Sequence, residues 1–274
     1  MTTQSNSTIS QDLILAARRG LVPVKSQTLG GFSNMLRKEL GQWWGTRTWW
    51  VQVLIWVLLM NGVTTIVALS EYGPPADRLQ ELVMTFLPMA VVMVGIGTVI
   101  AAQGAVVGEK ELGTAAWIMS KPASRSAFVL AKIVGYTIGF WTTAILIPAT
   151  IFIVEMQLLF PGQIDLVLFL AGLSLALLSQ LFYLVLTVML GTFFNNRGPV
   201  AGIGIAVIMT GLLLKSLIPM AVMIFTPWPL ADVSGGLALG QPLPSVWWVP
   251  VATTIVWIIL MAIAALRRFR REEF

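Results

Sequence analysis

The chain has 274 residues, of which 57% are hydrophobic and 11% charged, and it carries a net charge of +5. Soluble domains carry about 25% charged residues, so this composition cannot cover a water-facing surface, and much of the surface must face lipid. Cysteine and histidine are both missing, which excludes disulfides, thiolate nucleophiles, Cys/His zinc sites, His-ligated haem and Ser-His catalysis.

The first stretch, Met1 to Gly20, is rich in Ser, Thr and Gln, with a short apolar patch at Leu13 to Ala17. A secretory signal places its positive charge before the apolar region, whereas here Arg18 and Arg19 follow it. Residues 1–30 are therefore expected to form a cytoplasmic tail, either frayed or as a short surface helix, with 31–274 forming the membrane domain.

From Gly31 to Gly45, the residues Phe32, Met35, Leu36, Leu40 and Trp43 recur at helical spacing, with Arg37 and Lys38 falling elsewhere. This pattern predicts an amphipathic helix in the membrane interface. The alternative is a straight extension of the first span, against which Gly45 and the flanking Trp pairs suggest a bend.

A transmembrane helix needs roughly 20 mainly apolar residues. Six segments qualify, at about 49–70, 83–107, 126–154, 166–194, 199–225 and 246–266. With the N-terminus inside, 15 of the 17 Lys and Arg residues fall on the inner side. Basic residues favour the cytoplasmic flank, so both ends are expected in the cytoplasm. Trp43, Trp44, Trp49 and Trp50 mark the inner entrance of the first span, and Trp247 and Trp248 the outer entrance of the last, as aromatic belts require. Such a chain is expected in the cytoplasmic membrane of a prokaryote.

The loop after the second span runs from Gly108 to Arg125. Thr114 can cap a short helix that exposes Ala115, Trp117, Ile118 and Met119 before Pro122 ends it. Ser124 can then cap the third span. An apolar helix between charged ends suggests a docking knob for another protein, or else a helix folded back on its own spans. Further on, Thr226 to Ser245 contains four prolines and three glycines around an apolar stretch, Leu230 to Leu239. Irregular backbone at membrane depth survives only inside protein or along a cavity, which predicts a short outer or re-entrant helical element before the last span, with a plain outer loop as the alternative.

Polar groups within the spans are few. Lys215 in the fifth span is placed to snorkel outwards. Glu155 is placed at the outer, wet end of the third span. Asn61, Gln103 and Gln180 are expected to bond between helices, and the pairs Gly104/Gly108, Gly135/Gly139 and Gly198/Gly202 to pack helices closely. A proton relay is not evident. The phosphate-loop pattern G-x-x-x-x-G-K-[ST] is missing as well, so any ATP-driven step needs a separate ATPase.

The run Glu109-x-Glu111-x-Gly113-Thr114, a short apolar helix, then Pro122-x-Ser124-Arg125 and Lys132 resembles the inner loop of type-2 ABC exporter permeases. The six-span order, the entry helix, the outer element and the basic tail match across nearly the whole chain. The stretch Ala115-Ala116-Trp117 is smaller and more aromatic than that family's usual Leu-rich run.

The resemblance implies a membrane permease that is not itself an enzyme. It implies a cytoplasmic coupling helix between spans two and three, with Glu109, Glu111, Gly113 and Thr114 shaping the loop. Trp117, Ile118 and Met119 would then press into a groove on an ABC-type ATPase subunit. Glu109 and Glu111 would pair with basic residues there, or simply solvate the loop and favour a helix N-terminus. ATP and magnesium would sit on that partner, with no cofactor in this chain. A second permease subunit, identical or not, would complete the transporter, with the bilayer and no nucleic acid as its other partners. The alternative is a non-transporting membrane anchor or assembly subunit, which equally explains the few polar groups in the spans.

Overall fold

A computed structural model describes residues 29–70, 74–120, 123–214 and 217–272. The expectations for the tail before Leu29, for Lys121 and Pro122, and for Lys215 lie outside the described residues. The described part is all helical, with no strand among the described residues.

Helix α1 (Phe32–Trp44) precedes the bundle, and α2 (Thr48–Ser70) is the first long apolar helix. The next, α3 (Pro75–Ala102), continues after Gln103 as α4 (Gly104–Glu111). It begins eight residues before the expected start at 83 because Pro75 occupies its first turn, where a missing N–H costs nothing, and Asp77 complements the helix N-terminus. A six-residue helix, α5 (Thr114–Met119), follows.

The third long apolar unit is α6 (Arg125–Phe140), a π-helical turn (Trp141–Leu146) and α7 (Ile147–Leu159). Ser124 caps it as expected, its Oγ accepting from the Ala127 N–H at 3.0 Å. Helix α8 (Leu166–Phe193) is capped by Asp165, whose carboxylate accepts from Val167 and Leu168. Helix α9 (Arg197–Leu214), the short α10 (Met220–Met223), α11 (Leu230–Ala238) and α12 (Trp248–Arg270) complete the order.

Five helical units are long and apolar enough to cross a membrane, and the chain is a multi-pass membrane protein. The fifth of the six expected spans, 199–225, is shorter than that. Helix α9 is described as far as Leu214, and Pro219, which cannot continue an incoming helix, opens the separate turn α10.

Two apolar cores divide the bundle. One is built around Phe86, Phe152 and Phe169, with Phe86 stacked on Phe152 at 4.3 Å. The other is built around Val99, Tyr183, Val200 and Phe269, with Phe128 and Phe269 stacked at 5.0 Å. Helix α11 is no surface loop: Leu230, Val233, Ser234, Gly235 and Gly236 are buried as it packs against α3 and α8.

The predicted helix-to-helix bonds form at two of three positions. Asn61 donates to the Pro148 carbonyl at 3.1 Å, and Gln180 donates to Thr98 at 3.2 Å. Gln103 instead bonds within its own helix, to the Ile100 carbonyl. Of the glycine pairs, Gly135 and Gly139 do seat another helix, as described below. Gly104 and Gly108 lie under the Arg197 side chain, and Gly198 and Gly202 have no neighbour within 4 Å on the side a methyl would occupy.

Candidate functional site

The loop from Gly108 to Arg125 lies at one end of the bundle, where α1, the turn between α8 and α9, and the C-terminus of α12 also meet. Its shape starts with Gly113, whose φ of 67° lies in the left-handed region. Only glycine adopts that backbone without strain, so the chain can leave α4 and re-enter a helix within two residues. Gly113, and not Thr114, occupies the cap position of α5. Thr114 is the first helical residue, and its hydroxyl donates to the Glu109 carboxylate.

The centre of this end is ionic. Lys132 Nζ lies 2.8 Å from Glu39 Oε1 and 2.8 Å from Glu109 Oε1, and Lys38 Nζ reaches Glu109 Oε1 at 2.6 Å. Glu39 is 2% exposed and Lys132 3%. Charges so deeply buried persist only when paired and hydrogen-bonded. The group joins three elements: α1 through Lys38 and Glu39, the end of α4 through Glu109, and α6 through Lys132.

Close packing brings these charges together. Cβ atoms at Gly135 and Gly139 would lie 2.7 Å from Glu39 Cβ and 2.4 Å from the Trp43 ring. The missing side chains on α6 are therefore the seat of α1. Trp43 packs edge-on against Phe140 at 5.1 Å, and the Ser124 N–H donates to the Gly30 carbonyl at 2.9 Å.

A second set of polar links closes the other side. Lys110 Nζ meets the Thr192 carbonyl at 3.1 Å and Glu272 at 3.0 Å. Arg197 pairs with Glu111 at 3.0 Å. Arg125 donates to the Arg270 carbonyl, and Arg270 in turn donates to Ser126. The loop is thus bound to α1, α6, the α8–α9 turn and α12 at once.

Against this frame, α5 presents two faces. Ala115 is fully buried, and Ile118 and Met119 are half-buried against the second core. These three were expected to be exposed together with Trp117. Helical spacing separates them instead: positions 115, 118 and 119 share one side, and Trp117 projects from another. Trp117 is 66% exposed, and Leu112 just before the helix is 77% exposed. Both of the expected docking carboxylates have partners within the chain, Glu109 in the buried group and Glu111 on Arg197.

In the entry helix, Phe32, Leu36 and Leu40 are half-buried and Trp43 is buried, while Arg37 is exposed. The apolar face turns onto α6 rather than outwards alone. Glu39 shares that face, one turn from Met35 and from Trp43, and sequence reasoning passed over it. A carboxylate on the apolar side of an amphipathic helix was the available signal, since such a group needs a buried cation.

Away from this end, an apolar groove of about 500 Å³ runs between α8, α9 and α12. Phe182, Leu186, Val207, Trp228, Trp257 and Met261 are among its lining residues. Trp228 lies over Gly211 and donates to the Val207 carbonyl at 3.0 Å.

Fold and site together define a multi-pass α-helical membrane protein with an ion-paired end from whose short helix α5 Trp117 faces outwards. The chain belongs to the family described as Protein of unknown function (DUF2705), whose model matches residues 50–274. Lys38 and Glu39 precede the matched region, and Glu109 and Lys132 lie within it. No curated protein matches the chain.

Proposed function

We propose that this protein is the membrane-spanning permease subunit of an ATP-driven transporter of the type-2 ABC exporter kind, with the end formed by α1, α5 and the C-terminus of α12 facing the cytoplasm. The observation that carries the reading is Trp117: a large apolar side chain, 66% exposed, on a helix whose opposite face is anchored in the protein. Exposed aromatic residues on a rigid support suit the centre of a protein interface. In this reading Trp117 and Leu112 enter a groove on a separate ATPase, and the buried charges transmit its movement to α1 and α6.

The distribution of basic residues supports the orientation. Helix α9 serves as the fifth of six spans in chain order: its 18 residues reach about 27 Å at 1.5 Å per residue, close to the roughly 30 Å of a hydrocarbon core. Export, with the α10–α11 end on the outer side and a second permease subunit alongside, follows from the same resemblance. ATP and magnesium belong to the ATPase subunit.

Affinity purification from native membranes tests the proposal. An ATPase should co-purify with the wild-type chain and be lost from Trp117→Asp and Leu112→Asp variants that keep their helical content and melting temperature. A wild-type chain that purifies without any nucleotide-hydrolysing partner and is complete in that form overturns it.

A further inference from the structure

Glu155 was expected at the wet outer end of its helix, but its carboxylate turns inwards. Its Oε2 accepts from Asn61 Nδ2 at 3.4 Å, and the same amide donates to the Pro148 carbonyl at 3.1 Å. Glu155 stands four residues from the end of α7 at Leu159, about 6 Å along the axis. Side chains on a helix lean towards its N-terminus, which carries the carboxylate deeper. Asn61 lies nine residues before the end of α2 at Ser70, about 13 Å along that axis. The pair therefore sits inside two membrane-spanning helices.

Among the described residues, no Lys or Arg pairs with Glu155 and its only hydrogen bond is the one to Asn61. Asn61 itself is 3% exposed, and its Oδ1 is buried with no donor. The Pro148 carbonyl fixes the amide, because turning it over would set Oδ1 against another acceptor. Asn61 therefore holds its N–H towards a carboxylate that remains partly exposed. Val154 and Leu158 on the same helix, and Leu58 one turn before Asn61, are exposed and apolar. Ionisable groups at membrane depth are costly and mark functional sites. An acceptor carboxylate without a cation, beside an apolar surface, calls for a donor that carries positive charge.

We propose that Glu155, held in place by Asn61, forms a binding site for the primary ammonium group of an amphiphile, with the Glu155 carboxylate as counter-ion and acceptor, and the alkyl portion lying along the apolar faces of α2 and α7. The proposal concerns binding by this chain alone and stands whether or not the chain works with an ATPase.

The test uses the full chain in phosphatidylcholine nanodiscs, titrated with dodecylammonium, dodecanol and dodecyltrimethylammonium, the last of which has charge but no N–H. Dodecylammonium should bind about tenfold more tightly than dodecanol, the size of one charge-assisted hydrogen bond, and more tightly than the trimethyl form. Glu155→Gln, which keeps the size and the Asn61 contact, should abolish the preference.

Equal affinity of the wild type for amine and alcohol overturns the proposal, as does a preference that survives in Glu155→Gln. Should that variant not fold, a dodecylammonium with a diazirine beside the nitrogen decides on the wild type. Crosslinks in 58–65 or 148–159 support the site, and crosslinks confined elsewhere overturn it. Adding phosphatidylethanolamine separates the sources of the ammonium. Competition marks a lipid headgroup as the natural occupant, and no competition marks a free amphiphilic amine.

Discussion

One ammonium, Lys132 Nζ, sits 2.8 Å from a carboxylate oxygen of Glu39 and 2.8 Å from one of Glu109, and so holds a helix that precedes the bundle to a loop 70 residues later. Removing the cation leaves Glu109 with Lys38 at 2.6 Å but the buried Glu39 with that same ammonium only at 3.8 Å, and breaking a buried pair on one side costs about 3–5 kcal/mol. Lys132→Met should lower stability by that order in denaturant or thermal unfolding in detergent. Glu39→Leu combined with Lys132→Met should recover more than half of the loss, because the uncompensated charge on α1 is then gone. Lys38→Ala should cost under about 1 kcal/mol, since that side chain is 41% exposed and its interaction is screened by water.

Gly139 and Gly198 make a matched pair. A methyl at Gly139 would lie 2.4 Å from the Trp43 ring, which is buried, while a methyl at Gly198 meets nothing within 4 Å. Gly139→Ala should destabilise the docking of α1 by about 1–3 kcal/mol, the usual cost of overpacking. Gly198→Ala should be neutral or stabilise by up to about 1 kcal/mol through helix propensity. Limited proteolysis between α1 and α2, together with melting curves, distinguishes the two.

The two faces of α5 should respond oppositely to a charge. Ala115→Asp places a carboxylate in a fully buried position and should cost about 3 kcal/mol or more. Trp117→Asp lies on the exposed side and should change the melting temperature by the equivalent of under about 1 kcal/mol. Any loss of a co-purifying partner in the Trp117 variant is then a loss of contact and not of fold.

Trp228 holds the segment after α10 to α9 through one hydrogen bond and one ring contact. Trp228→Phe removes the bond to the Val207 carbonyl and should cost about 1 kcal/mol. Trp228→Ala also vacates the space over Gly211 and should cost about 3–5 kcal/mol. Differential unfolding of the purified chain measures both.

Composition and local pattern determined the lipid-facing class, the long apolar helices and the cap at Ser124, because each depends on neighbours within a few residues in sequence. The helix at 230–238 was legible in part: its proline and glycine punctuation marked an irregular segment, but its burial against α3 and α8 depends on partners far away in the chain. Tertiary packing alone decided that Ala115 faces inwards while Trp117 faces outwards, and that Glu109 and Glu111 are paired within the chain. It alone turned Glu155 from a wet helix end towards Asn61, and brought Glu39, Lys132 and Glu109 onto one point. The physical reason is the same in each case. A charge is assigned by what comes within a few ångströms of it, and for Glu109 and Glu155 that neighbour lies 23 and 94 positions away, beyond the reach of any local pattern.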